Sequence, residues 1–251
     1  MKGWHIFTHS VRLVLNNLGA ALRVSLVLYL VQVANQLYVF ANPPVMTDLG
    51  GGMEMPMMDP GAMVVNLILG LLAVVASLWI AVAWHRFVLA EEYPTGWLPQ
   101  WHGSYMMAYL GRSILIALMV VLAVIVASVP AGLIAAGLAP LGAAVSLGIV
   151  GLAAYVFFRL GVMLPAAALG RKLTLGEAWD ATKGESGTIL TLALIVIGAS
   201  VVIQLPSWLN GDPTSVINLI YGLVVSWFAT VIGISVLTTL YGHFVEGRSI
   251  D

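Results

Sequence analysis

The stretch GRSILIALMVVLAVIVASVPAGLIAAG (residues 111–137) contains no charged side chain after Arg112. A helix needs about 20 mainly apolar residues to cross the hydrocarbon core of a bilayer, and this stretch meets that requirement. Five further stretches have the same character, so the sequence predicts six transmembrane helices. They lie near residues 19–41, 62–89, 111–137, 141–164, 187–209 and 214–242.

The overall composition points to the same class of protein. Hydrophobic residues make up 61% of the 251 residues and charged residues only 8%, whereas a soluble domain usually carries about 25% charged residues. We therefore predict an all-α, polytopic membrane protein. The net charge of -1 argues against a nucleic-acid partner. Membrane lipids, other membrane proteins or a second copy of the chain are the expected partners.

The basic residues fall on one side of this six-span arrangement. They are Lys2, Arg12, Arg23, Arg86, Arg112, Arg159, Arg171, Lys172, Lys183 and Arg248. The opposite side has four acids, Asp48, Glu54, Asp59 and Asp212. Because basic loops stay in the cytoplasm, both termini are expected there. The composition, rich in Ala and Gly and free of Cys, favours the inner membrane of a bacterium.

The chain divides into three parts. Residues 1–18 are predicted to form an amphipathic helix at the membrane interface, residues 19–243 the six-helix domain, and residues 244–251 a cytoplasmic tail. One stripe of the first helix is polar and another apolar, a pattern typical of helices in the headgroup plane. The polar stripe holds Lys2, His5, His9, Arg12 and Asn16, and the apolar one holds Trp4, Phe7, Val11, Val14 and Leu18.

Four tryptophans are candidate interfacial anchors, because an apolar ring with a polar tip suits the membrane boundary. They are Trp4, Trp97, Trp101 and Trp179. Trp97 and Trp101 belong to an aromatic segment, residues 91–112. Trp179 lies in a predicted surface helix over residues 175–183, for which Thr174 and Glu177 have the spacing of a capping box.

Amides in the spans are the candidate polar site. Gln32, Asn35 and Gln36 share one face of the first span, and Asn218 lies in the sixth. Together they predict either a cavity for a lipid headgroup or small solute, or hydrogen bonds between packed helices. No Asp or Glu lies in the middle of a span, and Arg159 is expected to extend to the interface. We find no catalytic constellation and predict that the protein is not an enzyme.

The stretch MEMPMMDPGAM (residues 53–63) is a candidate metal site on the acidic side. Thioethers select Cu(I), and the ligands would be Met53, Met55, Met57 and Met58. Methionine also serves as a flexible apolar filler. The favoured interpretation is an apolar loop that covers the helix ends, and no other cofactor is expected.

The stretch VMLPAAALGRKLTLGEAWDATKGESGTIL (residues 162–190) resembles a group of bacterial six-helix inner-membrane proteins. It is similar to the membrane domain fused to some glycerophosphoryl diester phosphodiesterases. In those enzymes the chemistry belongs to a separate soluble domain, so the resemblance implies a fold and no phosphodiesterase activity. The leading expectation is a non-catalytic accessory or scaffold protein. A small-solute or lipid transporter and a periplasmic Cu(I)-binding protein are the alternatives.

Overall fold

The computed structural model of the protein describes residues 2–48, 50, 54–137, 142–212 and 214–250. Within them it contains nine helices and one two-stranded sheet. The helices are α1 Lys2–Asn16, α2 Leu18–Ala41, α3 Pro60–Ala90, α4 Gly103–Gly137, α5 Gly142–Leu160, α6 Met163–Ala168, α7 Leu175–Ala181, α8 Ser186–Asn210 and α9 Val216–Phe244. The strands are β1 Val45–Asp48 and β2 Glu54–Met57.

Six helical segments are long and apolar enough to cross a membrane, which confirms the predicted number of spans. They are α2, α3, α4, α5 together with α6, α8 and α9. The protein is therefore a multi-pass membrane protein. We call the end with residues 2–17, 91–102, 169–185 and 245–250 the basic end. The end with the two strands and residues 211–215 is the hairpin end.

Two spans differ from their predicted bounds by more than two residues. Helix α4 begins at Gly103, eight residues before the predicted start at residue 111, so the end of the aromatic segment is helical. Helix α5 ends at Leu160, and Gly161 separates it from α6. A Cβ atom at Gly161 would lie 2.7 Å from the end of the Leu237 side chain of α9 and 2.9 Å from the Phe157 carbonyl oxygen, so a larger residue would crowd this position. Pro165 has no N–H to continue the hydrogen bonds of α5. The turn predicted around residues 137–140 lies mostly outside the described residues.

The predicted helical class is confirmed, and the loop after α2 adds one short antiparallel hairpin that was not predicted. Val45 pairs with Met57 and Thr47 with Met55. The pairing satisfies backbone groups that the loop would otherwise leave to water. The sequence pattern did not indicate this hairpin, because methionine and proline are poor indicators of strands.

The buried core lies at the basic end. Helices α3, α4, α5, α8 and α9 contact one another in turn around a closed ring, and α2 packs on α3 and α9. The short helix α6 contacts α3, α4 and α9, and all six of its residues are buried. By contrast, none of residues 117–132, 142–150 and 194–210 is buried. The ring is filled at the basic end and loosely packed toward the hairpin end.

Helix α1 packs on the protein by a stripe that the sequence pattern did not single out. Its buried residues are Gly3, Ile6, Ser10 and Val14. A Cβ atom at Gly3 would lie 2.7 Å from the carbonyl oxygen of Thr188, so the backbones of α1 and α8 are in close contact. The predicted apolar stripe is divided, since Val14 is buried while Trp4 is exposed. Contacts with α8 and α9 therefore position this helix in the fold.

Candidate functional site

Three of the four predicted cavity amides lie together. Gln32, Asn35 and Gln36 line a lateral cavity of about 580 Å³ between α2, α3, α4 and α9. The Gln32 side-chain amide donates to Ser77 Oγ at 3.0 Å. Asn35 donates to the side-chain oxygen of Asn66 at 3.2 Å. The amides therefore join α2 to α3 by hydrogen bonds and also line an open cavity. That the cavity holds a lipid headgroup or a small solute stays a prediction.

Asn218 is separate from the other three amides. It lines a different cavity at the hairpin end, with Trp208 and Asp212. Its side chain donates to the carbonyl oxygen of Asp212 at 3.3 Å. Two residues of α9 line the amide-lined cavity, Thr230 and Ile234, and the nearer one, Thr230, lies twelve positions further along the helix. At 1.5 Å per residue, that is about 18 Å away.

A chain of buried polar side chains begins at the amide-lined cavity, at the end that is closest to the basic end. The sequence analysis did not predict it. Tyr109 lines the cavity, and its hydroxyl lies 3.4 Å from His85 Nε2. His85 Nδ1 lies 2.8 Å from the Thr238 hydroxyl. The Thr238 hydroxyl also lies 2.9 Å from the Ile234 carbonyl oxygen. Tyr109, His85 and Thr238 therefore form one buried hydrogen-bonded chain, in which the imidazole tautomer sets which groups donate.

Arg159 is covered by protein at the basic end, since its exposed fraction is 4%. Its guanidinium donates to the Thr182 carbonyl at 2.7 Å, to Tyr155 at 2.9 Å and to Ser186 at 2.6 Å. It also lies 4.6 Å from the centre of the Trp179 ring, a cation–π distance. All these partners are neutral. The sequence offered one signal for this site, the position of Tyr155 one helical turn before Arg159.

A second basic cluster links the loop after α3 to the core. Glu92 accepts from Arg86 at 2.7 Å and from His102 at 2.6 Å. Arg86 also donates to the carbonyl oxygen of Ala168, the last residue of α6, at 3.2 Å. Burial by itself would raise the pKa of Glu92, but the hydrogen bonds and charges of His102 and Arg86 outweigh it and lower the pKa. The cluster therefore favours an ionised Glu92.

The four predicted anchors are all exposed in the outer part of the basic end. Trp4, Trp97 and Trp101 each expose more than half of their surface, and Trp179 exposes 42%. Trp101 contacts Trp79 edge-on at 4.7 Å between ring centres. The capping box is confirmed, because Thr174 and Glu177 hydrogen-bond reciprocally at the start of α7. These positions suit a membrane interface, and the anchoring role stays a prediction.

The described methionines among the predicted thioether ligands lie in the second strand of the hairpin or directly after it. Met55 and Met57 share one face, with Thr47 and Val45 as their cross-strand partners. Met58 follows the strand, and its sulfur accepts from the Asn66 amide at 4.0 Å. Met53 lies outside the described residues. In the described part of the chain, no three His, Asp or Glu side chains are grouped so that they could hold a metal ion.

Comparisons with models of protein families, with functionally characterised proteins and with solved structures yield no match. The resemblance of residues 162–190 to bacterial six-helix membrane proteins therefore stays a prediction. The class that the fold defines is a six-span membrane protein. Its candidate sites are the amide-lined cavity and the polar clusters at the basic end.

Proposed function

We propose that the protein is a non-catalytic accessory or scaffold protein of the bacterial inner membrane. It would contact lipid and other membrane proteins or a second copy of itself. Both termini would face the cytoplasm, because the ten Lys and Arg residues all belong to the basic end or to the helix segments that lead to it.

The observation that carries this proposal is the open packing toward the hairpin end. Val126 and Val129 of α4 are 65% and 66% exposed, and residues 117–132 include no buried side chain. A bilayer tolerates such apolar surface, but helices in lipid gain stability by packing against other helices. The exposed halves of α4, α5 and α8 therefore supply surface for a partner, while the packed basic end holds the fold together.

Cross-linking tests this function. The chain contains no cysteine, so a Val126→Cys variant carries one unique attachment point for a photoreactive cross-linker. We expect a cross-linked product of discrete mass in native membranes. Leu71→Cys is the control, since Leu71 is also exposed (60%) but lies on α3. Loss of a discrete product, together with purification as a monomer free of lipid and partner, would contradict the proposal.

A lipid or small-solute transporter is the second candidate, and the cavity lined by span-one amides supports it. Proteoliposomes with a fluorescent phospholipid and an external quencher would measure lipid movement between leaflets. If the protein moves lipid, changing Gln32, Asn35 and Gln36 to Leu should lower the rate at least tenfold. Gln204→Leu is the matched control, because Gln204 is an exposed amide on α8 outside this cavity.

A further inference from the structure

A second lateral groove, of about 640 Å³, lies between α5 and α8. Leucines of both helices form its walls. Gly148, Gly151 and Gly187 line it without side chains, and Tyr155 and Ser186 lie where it reaches the basic end. A Cβ atom added at any of the three glycines would meet no atom within 4 Å. The groove is therefore open space beside the glycines.

The groove is apolar along most of its length and polar at one end, as a lipid molecule is. From Leu147 to Tyr155 it follows α5 for eight residues, or about 12 Å at 1.5 Å per residue. That length is apolar and faces the hydrocarbon core. The last turn presents the two hydroxyls of Tyr155 and Ser186, 3.2 Å apart. Both accept hydrogen bonds from Arg159, so the Ser186 proton can be donated into the groove.

Arg159 supplies a positive charge without a carboxylate counterion. No ion pair joins it to an acid in the described part of the chain. Glu185 is adjacent in sequence to Ser186, but its carboxylate binds Lys2 and Thr188. A buried guanidinium stays charged, and its burial is costly unless an anion compensates it. A phosphate beside Tyr155 and Ser186 would supply that anion, with hydrogen bonds strengthened by charge.

We propose that the α5–α8 groove binds one phospholipid in the leaflet at the basic end. One acyl chain would lie along Gly148 and Gly151, and the phosphodiester would accept from Ser186 beside Arg159. The inference rests on the proposed lipid-contacting function and names the ligand class and its site. A lipid phosphate is favoured over free phosphate, because most of the groove is apolar.

Filling the groove tests the acyl-chain contact. Gly151→Leu places a side chain in the open space, and the change from glycine improves helix propensity. The full chain would be purified in mild detergent and incubated with phosphatidylglycerol and phosphatidylethanolamine. Native mass spectrometry would then measure the number of bound phospholipids. We expect one retained phospholipid for the unaltered protein and at least a tenfold lower occupancy for Gly151→Leu. Equal occupancy in both would overturn the proposal.

Gly198→Leu is the matched control. Gly198 lies in α8, the other helix of the groove, and a Cβ atom there likewise meets nothing within 4 Å. The residue is outside the groove. This variant should retain the phospholipid. If it loses the lipid as completely as Gly151→Leu does, the loss is not specific to the groove and the proposal fails.

A second measurement tests the headgroup contact. The unaltered protein should retain phosphatidylglycerol at least tenfold better than a diacylglycerol with the same chains, and Ser186→Ala should reduce that preference. Equal retention of diacylglycerol would contradict the phosphate contact. Displacement of the lipid by millimolar inorganic phosphate would identify a free-phosphate site instead. Cross-linking through Val126 is independent of these results, so failure of the lipid site and failure of the scaffold function can be told apart.

Discussion

At the residue scale, His85 shows how a polar side chain is accommodated in a span. Its two nitrogens bond Thr238 and Tyr109, and the ring is fully buried. Each of those hydroxyls would lose a partner if the imidazole were removed. Leaving a buried polar group unpaired costs about 1–3 kcal/mol.

His85→Leu should therefore destabilise the protein by about 1–3 kcal/mol, measured as a lower thermal midpoint in detergent. His5→Leu is the control, because His5 is exposed on α1 and its replacement should change the midpoint little. An unaltered midpoint in His85→Leu would mean that the chain from Tyr109 to Thr238 contributes nothing to stability.

The lowered pKa of Glu92 predicts that the stability of the protein depends on pH. Its folded-state pKa is below the ordinary value of 4.5, so the unfolded chain binds the proton more readily. The stabilisation is therefore present above pH 4.5 and is lost as the pH falls through the lowered value. Glu92→Gln should lower stability by about 1 kcal/mol at pH 7, a value typical of partly exposed ion pairs. The difference between the two proteins should shrink as the pH falls below 4.5 in thermal unfolding, and a constant difference would contradict this assignment.

At the element scale, the break between α5 and α6 depends on one glycine. Gly161→Ala would bring a Cβ atom to 2.7 Å from Leu237 and 2.9 Å from the Phe157 carbonyl oxygen. Overpacking of this kind costs about 1–3 kcal/mol, so the thermal midpoint should fall. Gly198→Ala meets no such contact and should be neutral or slightly stabilising. Equal midpoints for the two variants would show that α9 adapts freely.

The methionine hairpin carries a separate prediction. Met55 and Met57 share a face, while Met46 lies on the other and Met58 contacts Asn66. We expect this segment to act as an apolar cover. Replacing Met53, Met55, Met57 and Met58 with Leu should leave Cu(I) uptake unchanged in a competitive titration. A loss of bound Cu(I) in this variant, with none in the exposed control Met107→Leu, would establish the metal site instead.

At the scale of the whole molecule, the orientation in the membrane can be tested directly. Met55→Cys at the hairpin end should react with a membrane-impermeant maleimide in spheroplasts with an intact inner membrane. Lys183→Cys at the basic end should react only after that membrane is permeabilised. The basic side chains would then face the cytoplasm, as the positive-inside rule requires. The reverse pattern of labelling would invert the proposed topology.

The sequence by itself determined the number of spans, the gathering of charge at one end and the start of α7. Each of these depends on a local quantity. Hydropathy of about 20 residues decides whether a segment enters lipid, and the Thr174–Glu177 pair closes within one turn. Such features need no knowledge of the neighbouring helices.

Only the tertiary structure decided which side chains meet. Helices α3 and α9 are mainly apolar and have no amphipathic periodicity, so no stripe indicates the faces that bring His85 to Thr238. Arg159 is buried because α7 and the start of α8 cover it. Asn218 lines a different cavity from the other amides, since it lies at the start of α9, about 18 Å along the helix from Thr230. Helix rotation and register arise from packing between segments distant in sequence, which local patterns do not specify.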